Sequence, residues 1–431
     1  MVLEDTGQPG AVQRDLGDGL LLRCASEADI GSILEHIGSV HGADVVPTVR
    51  RMIGHFPDFS LNDSFIVVDT EKRLVVAHLC LLRKRCVLEG IEFPFGQMEY
   101  VGTHPDYRGR GLVRQLNRAF EGRVAEHRLP FVVIAGIPYF YRQFGYEYAI
   151  PLGLGGGRGQ LVVPTEVVTS LTSGEQEPVT VEKVRQSRFE AYLECRSQRN
   201  RYLDLYRSLG RGDWDYLAGG TLGEAGAIEM YLLERDGKAA GAFSLSSGWG
   251  RLQVCELWLD DVNVLFSVLR FTGKLAQARG QPLAFEPPSS PTLKSVLEGL
   301  TGSEFRRPYA WYVRIPSIRR FLETIKHVLE QRIAASEFHG LSDTFRLGWY
   351  RQGAAMVFDQ GMVVRVEELH EAELTKSHVH MPPLVVNQLL LGYRTLDELI
   401  EMYPDARAEP SKKRLAQVLF PKIRANLSPE T

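Results

Sequence analysis

Residues 97–120, QMEYVGTHPDYRGRGLVRQLNRAF, decide how this chain is read. Up to Thr103 the stretch has the look of a strand, and Arg108-Gly109-Arg110-Gly111 then makes a turn. Beyond the turn Leu112, Leu116, Ala119, Phe120 and Val124 recur at helical spacing, so a helix is predicted over residues 111–126, with Arg114, Arg118 and Arg123 on its other face. A β-branched apolar run at 131–135 follows, which completes a strand–turn–helix–strand unit. Amides at a helix start have no intrahelical acceptor, and the helix dipole adds partial positive charge there. Glycines let a ligand approach the backbone, and Arg108 and Arg110 raise the local potential. A pyrophosphate suits such a turn. Taken alone, the same turn is equally an ordinary connection with solvated arginines.

Working outward, residues 20–23, 65–68 and 75–82 are further strand candidates, and Ser26 with Asp29 forms a capping-box-like helix start. A second aromatic run, Tyr139-Phe140-Tyr141-Arg142-Gln143-Phe144-Gly145-Tyr146, stands just after the 131–135 strand. The glycine-rich stretch 153–160 breaks the pattern. A second α/β segment then begins with helical sequence over 181–217. It continues with strands at 230–234, 239–244 and 252–259, a helix at 262–279 and a strand at 283–285. The order repeats that of the first segment, so a duplicated fold is expected. Where the first copy has its glycine-and-arginine turn, the second has LWLDDVNVLFSVLRF. A third region starts near Trp311. It has a helix over 317–334, strands at 346–349, 355–358 and 362–366, and helices near 383–391 and 395–402.

The bulk numbers fit this picture. A chain of 431 residues is too long for one core and suggests two to three domains. With 50 basic and 53 acidic side chains the charge is nearly balanced, which argues against a dedicated nucleic-acid binder. Five scattered cysteines, with no CxxC pair, argue against a disulfide framework or a zinc cluster. No signal peptide and no membrane-length apolar window is visible, so the cytoplasm is the expected location, with no membrane partner.

The two motifs together resemble the GNAT N-acetyltransferases. Their signature, Gln/Arg-x-x-Gly-x-Gly/Ala, is matched from Arg108 to Val113 except that Val113 replaces the last small residue. The aromatic run from Phe140 to Tyr146 is similar to a later element of the same superfamily. The whole layout resembles the Eis-type (enhanced intracellular survival) acetyltransferases. This resemblance implies an α/β (α+β) chain of tandem GNAT domains and a C-terminal sterol-carrier-protein-2-like domain. The divisions implied are 1–152, 153–305 and 306–431, the middle one degenerate. It further implies an acetyl-CoA-dependent N-acetyltransferase with no metal, assembled as a homo-oligomer, with a hexamer among the forms the resemblance suggests.

Site residues are implied in the same way. The backbone of Val101, Gly102 and Thr103 would hold pantetheine and the acyl carbonyl. Arg108, Gly109, Arg110, Gly111, Leu112, Val113 and Arg114 would cradle the pyrophosphate, with Gly136 and Ile137 along the pantetheine arm. Tyr141 would protonate the departing thiolate, whereas Tyr139 and Tyr146 are expected to be packing residues. For the base two groups stand level: Glu99, expected to share a strand face with Val101, and the C-terminal carboxylate of Thr431. The acceptor would be an aminoglycoside, polyamine or lysine-type amine. A CoA-binding regulator, or an apolar-ligand carrier using the third region, is the alternative.

Overall fold

Asp18-Gly19 and Glu89-Gly90 each hold two consecutive residues at positive φ, 52° and 71°, then 47° and 87°. This is the mirror-image turn whose twist suits a two-residue hairpin. The first turn links β1 (Gln13–Gly17) to β2 (Leu20–Cys24). Helices α1 (Ile30–His41) and α2 (Val46–His55) and strand β3 (Ser64–Asp69) follow. The second turn joins the long strands β4 (Leu74–Leu88) and β5 (Ile91–Thr103). Helix α3 (Leu112–Glu126), β6 (Val132–Ile134) and β7 (Glu147–Leu152) come next. Strands β1 to β5 form an antiparallel ladder, and β6 runs parallel to β5 after the α3 crossover. The computed structural model describes residues 13–152, 160–172, 179–220, 227–247, 250–306 and 309–428.

Side chains alternate along these strands, so each face buries its own core. Phe65, Val67, Leu79 and Met98 pack against Leu112, Leu116, Phe120 and Val124 of α3. Ile66, Cys80 and Leu82 face the other way, onto Ile33, Ile37, Val49 and Met52 of α1 and α2. The expected capping box is present: the Ser26 amide and hydroxyl both donate to Asp29 Oδ2, at 2.8 and 2.6 Å. Arg123 departs from its expected place on the solvated face of α3. It is buried and donates to the buried Asp63 at 3.3 Å, a carboxylate that Arg83 and His127 also contact.

The second unit contains β8 (Leu161–Val162), α4 (Thr165–Thr172), β9 (Thr180–Lys183), α5 (Phe189–Asn200), β10 (Leu205–Arg207) and α6 (Trp214–Ala218). It continues with β11 (Ile228–Arg235), β12 (Lys238–Ser246), β13 (Leu252–Leu259), α7 (Leu265–Arg279), β14 (Leu283–Phe285) and α8 (Pro291–Thr301). The predicted helical run over 181–217 is therefore cut into two strands and two helices. Its β-branched start, Thr180 and Val181, finds a ladder partner in β11. The sheet order, β8-β14-β13-β12-β11-β9, repeats the first pattern, with an antiparallel ladder and then a parallel step through α7.

The third stretch opens with β15 (Tyr309–Arg314), α9 (Ile318–Thr324) and α10 (Lys326–Ala334). The single helix expected over 317–334 breaks at Ile325, between α9 and α10. Strands β16 (Asp343–Trp349), β17 (Gln352–Asp359), β18 (Met362–Glu368) and β19 (Val379–Met381) follow. Then come α11 (Val386–Leu390), α12 (Leu396–Met402), β20 (Arg407–Ala408), α13 (Pro410–Leu419) and β21 (Ala425–Asn426). A five-stranded sheet, β18-β17-β16-β19-β20, carries this unit.

Strand β15 does not join that sheet. It inserts between β6 and β7 of the first one, antiparallel to both, with Tyr312 opposite Ile134 and Trp311 opposite Ile150. Two exposed strand edges are thereby paired from a distant part of the chain. Strand β10 of the second unit pairs with β4, and β21 pairs with β10, so the first sheet takes strands from all three stretches. Among the described residues, no helix is long and apolar enough to cross a membrane.

Candidate functional site

A bulge in β5 organises the site. His78 lies opposite Gly102 and Cys80 opposite Glu99, so Tyr100 and Val101 together face Leu79. Tyr100 takes φ 51° to make room. The extra residue resets the alternation, and Glu99 and Val101 do not share a face as expected. Val101 packs with Met98 and Tyr141 on the α3 side. Glu99 instead accepts a hydrogen bond from Gln97 Nε2, and Gln97 Oε1 accepts from Lys84 Nζ at 2.5 Å. Lys84 lies over Phe56, on the α1/α2 side.

The bulge also aims the backbone. The His104 amide bonds to Val76 of β4 at 2.8 Å, so the main-chain groups of Thr103 and Val101 point away from β4. Arg108 Nε confirms the direction, reaching the Thr103 carbonyl at 3.4 Å. That side is open. Strand β6 pairs with β5 only at Gly96–Val132 and Gln97–Val133, and the two then diverge into a cleft. On the closed side, α1 crowds Gly102: a β-carbon there would come within 2.8 Å of Val40 and 3.2 Å of His41. His78 fixes the bulge with Nδ1 on the Tyr100 carbonyl at 3.0 Å and Nε2 on the Ser64 hydroxyl at 2.9 Å. Burial lowers its pKa to about 3, and that of the adjoining His36 to about 4. Both rings are neutral near pH 7. Neutral His78 satisfies both contacts, donating to Tyr100 and accepting from Ser64.

At the cleft's outer end stands the turn. Gly109 and Gly111 adopt φ 78° and 75°, with open space where a side chain would be. Conformation, not room, is what requires glycine there. Gly111 caps α3, leaving the first helical amides at its exposed N-terminus. Arg110 lies over the Tyr107 ring at 5.1 Å, and Tyr107 donates to Asp69 at the end of β3 at 2.6 Å. Arg108 and Arg114 are exposed beside it, Arg114 reaching Gln143 at 3.3 Å, while Leu112 is buried and Val113 half-buried. Four arginines of the turn and the first part of α3 (108, 110, 114 and 118) are exposed, which makes this end of the helix positive.

Tyr141 closes the inner end. It is buried against Phe140, Tyr146 and Tyr312, with ring centroids 5.0 to 6.1 Å away. Burial raises its phenol well above the usual value, and the Glu99 carboxylate adds to the effect. The group therefore stays protonated at neutral pH, the state a proton donor needs. Before it, Ile137 is 65% exposed and Tyr139 is 77% exposed. Tyr146 packs as expected, but Tyr139 does not: it sits at φ 67° with its ring in solvent. Thr431, the other sequence candidate for the base, lies outside the described residues. Sequence reasoning also missed Lys84, Gln97, Tyr309 and Tyr312. A lysine inside the apolar run of β4 was a readable signal for the first; nothing local announces the two tyrosines.

The second unit keeps the bulge and loses the turn. Ala242 lies opposite Trp258 and Ser244 opposite Cys255, and Glu256 takes φ 49°, the place Tyr100 holds in the first unit. From Gly102 to the start of α3 is ten residues, but from Trp258 to the start of α7 only seven. Among the described residues, no group of three or more His, Cys, Asp or Glu side chains is placed to hold a metal ion.

Comparison with known proteins bears on the fold. Residues 22–149 match the acetyltransferase (GNAT) domain family. A probable N-acyltransferase from Enterococcus faecalis shares the fold at 14% identity and TM-score 0.68, covering 96% of this chain and 100% of that one. A GCN5-related N-acetyltransferase from Kribbella flavida does so at 16% identity and TM-score 0.65, covering 95% and 100%. Eis1 from Mycobacterium abscessus is similar at 11% identity and TM-score 0.56, covering 96% and 100%. At these identities the likeness is one of fold, and it extends through all three stretches. No curated protein matches the chain.

Proposed function

We propose that this chain, an acyltransferase whose residues 22–149 form a GNAT acetyltransferase domain, moves the acetyl group of acetyl-CoA onto a primary amine by direct attack in a ternary complex. The observation that carries the reading is the open cleft between β5 and β6, with a cationic turn at one end and a protonated, buried Tyr141 at the other. In this reading the turn from Arg108 to Arg114 takes the pyrophosphate. The outward-facing backbone of Val101 and Thr103, with Gly102 between them, aligns pantetheine and the acyl carbonyl, and Gly136 and Ile137 form the opposite wall. The amine nitrogen bonds to the carbonyl carbon, the carbon–sulfur bond breaks, and Tyr141 gives its proton to the thiolate. The ammonium proton leaves through water to Glu99, which the Lys84–Gln97 pair holds in place.

The acceptor belongs to the amine class, with aminoglycosides, polyamines and lysine side chains as the forms to test. The third unit fits a supporting role better than that of an apolar carrier. Its cavity of about 450 Å³ sets Arg314, Arg319 and Arg351 among Ile318, Trp349, Leu369 and Val386, a mixed lining in which an apolar guest would have to cover guanidinium groups. Cytoplasmic location and assembly as a homo-oligomer belong to the same proposal.

Thiol release from acetyl-CoA across a panel of those amines tests the reading, with Tyr141→Phe alongside. Turnover with one amine class, lost by about a hundredfold or more in the variant, supports the enzyme and its acid together. Tight CoA binding with no turnover on any amine would favour a regulator instead.

A further inference from the structure

The loop that carries Tyr141 leaves β6 with Gly136 and turns at Tyr139, where a bulky residue is held at φ 67°. Such a conformation is strained for a residue with a side chain and persists only where neighbours enforce it. The neighbours come from β15, inserted 173 residues further along the chain. The Tyr139 amide donates to the Tyr312 hydroxyl at 2.7 Å. The Tyr309 hydroxyl donates to the Gly136 carbonyl at 3.1 Å. Between them stands Tyr148 of β7, its ring stacked on Tyr312 at 4.0 Å and its hydroxyl 2.6 Å from that of Tyr309. Burial and these two neighbouring hydroxyls raise the Tyr148 phenol well above its usual value.

Donor directions follow by elimination. Tyr309 gives its proton to Gly136, so it accepts from Tyr148, while Tyr312 accepts from Tyr139 and holds Tyr148 by the ring stack. Through Tyr148, bonded to Tyr309 and stacked on Tyr312, the two ends of a strained loop are tied to each other, and the Tyr312 ring also packs on Tyr141 at 5.9 Å.

We infer that Tyr312 and Tyr309 are positioning residues for the reaction, fixing the Gly136–Tyr139 bend so that Tyr141 meets the leaving sulfur. The inference rests on the acid role proposed for Tyr141. It makes β15 part of the catalytic unit although the chain reaches it only after the second unit.

The experiment is a double-mutant cycle using Tyr312→Phe, Tyr309→Phe and Tyr141→Phe, assayed with acetyl-CoA and the amine best turned over. Phenylalanine keeps each ring and removes only the hydroxyl. Tyr312→Phe should lower kcat about ten- to a hundredfold with little change in KM for acetyl-CoA. In the Tyr141→Phe background the same substitution should cost almost nothing, because its effect passes through that residue. Amide exchange of the peptide spanning residues 136–141 should quicken in Tyr312→Phe while CoA affinity holds. Losses that multiply in the double variant, or an unchanged kcat in Tyr312→Phe, overturn the inference while leaving the acid intact. An unchanged kcat in Tyr141→Phe alone sinks the acid reading itself. Should Tyr312→Phe fail to fold, the same cycle with Tyr309→Phe decides.

Discussion

A β-carbon on Gly136 would sit 2.2 Å from both Cδ2 and Cε2 of the Tyr141 ring. The glycine's φ is not in the left-handed region, so the requirement is one of space. Gly136→Ala must push a fully packed ring out of its place among Phe140, Tyr146 and Tyr312. The expected result is a fall in kcat of about tenfold to a hundredfold at saturating acetyl-CoA. Steady-state kinetics beside Tyr141→Phe checks it; an alanine variant with full kcat would mean that the ring position is irrelevant to turnover.

Gly111 offers the opposite case. Nothing lies within 4 Å of its missing β-carbon, but its φ of 75° belongs to the left-handed region. Gly111→Ala should therefore cost only about 1 kcal/mol of stability. Its main effect should fall on the turn, raising the Kd for CoA several-fold with kcat at saturation nearly kept. Calorimetric titration with CoA and with pantetheine, which carries no phosphate, separates the cause, because only the ligand with the pyrophosphate should lose affinity.

Glu99 and the C-terminal carboxylate can be set apart by pH. If Glu99 takes the amine proton, Glu99→Gln lowers kcat/KM about tenfold or more and removes the acid limb of the pH–rate profile. Deleting residues 429–431 should leave that limb in place. The reverse pattern would assign the base to the tail. Lys84→Met should mimic Glu99→Gln in part, since Lys84 bonds to the Gln97 side chain that donates to the carboxylate.

How much of this was legible beforehand follows from the range of each interaction. The βαβ core around residues 97–134, the cap at Ser26 and the turn at Arg108–Gly111 rest on neighbours a few residues apart, and sequence periodicity exposes them. The duplicated sheet could be read because both copies keep the same element order. Whether Glu99 faced Val101's side could not, because a one-residue bulge at Tyr100 reverses every later side chain and leaves no mark in composition. Strand β15 looked like the start of a third domain, since proximity in sequence is the only guide when pairing is unknown. Its ladder partners run from Val132 to Leu152, far back in the chain, and the hydroxyls of Tyr309 and Tyr312 each bond to a loop residue 173 positions earlier. Arg123 was placed in solvent for a similar reason: its partner Asp63 comes from a distant turn.

The buried histidines predict an acid weakness. Folded His78 titrates at about 3 and His36 at about 4, both below the roughly 6.5 of an unfolded histidine. A depressed pKa contributes stability that is whole above pH 6.5 and is lost as pH falls toward those values. Each neutral ring adds up to about 1.4 kcal/mol per pH unit to the slope in that window. Melting temperature should therefore drop steeply between pH 6.5 and 4, and His36→Phe should flatten the drop by about one proton's share. A slope unchanged in the variant would show that the ring does not titrate in the fold.

The second unit repeats the β5 bulge in β13, with Glu256 at its bulged position. Where Tyr100 stands in the first copy, Glu256 stands in the second, and it is paired with two buried arginines, Arg196 at 3.0 Å and Arg199 at 3.4 Å. The two arginines hold the Glu256 carboxyl below its usual range, against the opposing pull of burial. Arg196 also donates to the carbonyls of Arg207 and Ser428, at 2.9 Å each, so one ion pair ties α5 to the β10 strand and to the chain just past β21. Glu256→Gln would leave buried guanidinium charge without its counter-ion, a loss of about 3–5 kcal/mol. Because β10 pairs with β4 of the first sheet, the damage should spread there. The expected result is a lowered melting temperature together with faster amide exchange in residues 84–88. Unfolding confined to the second unit, with exchange in β4 unchanged, would show that the two sheets are joined without being coupled.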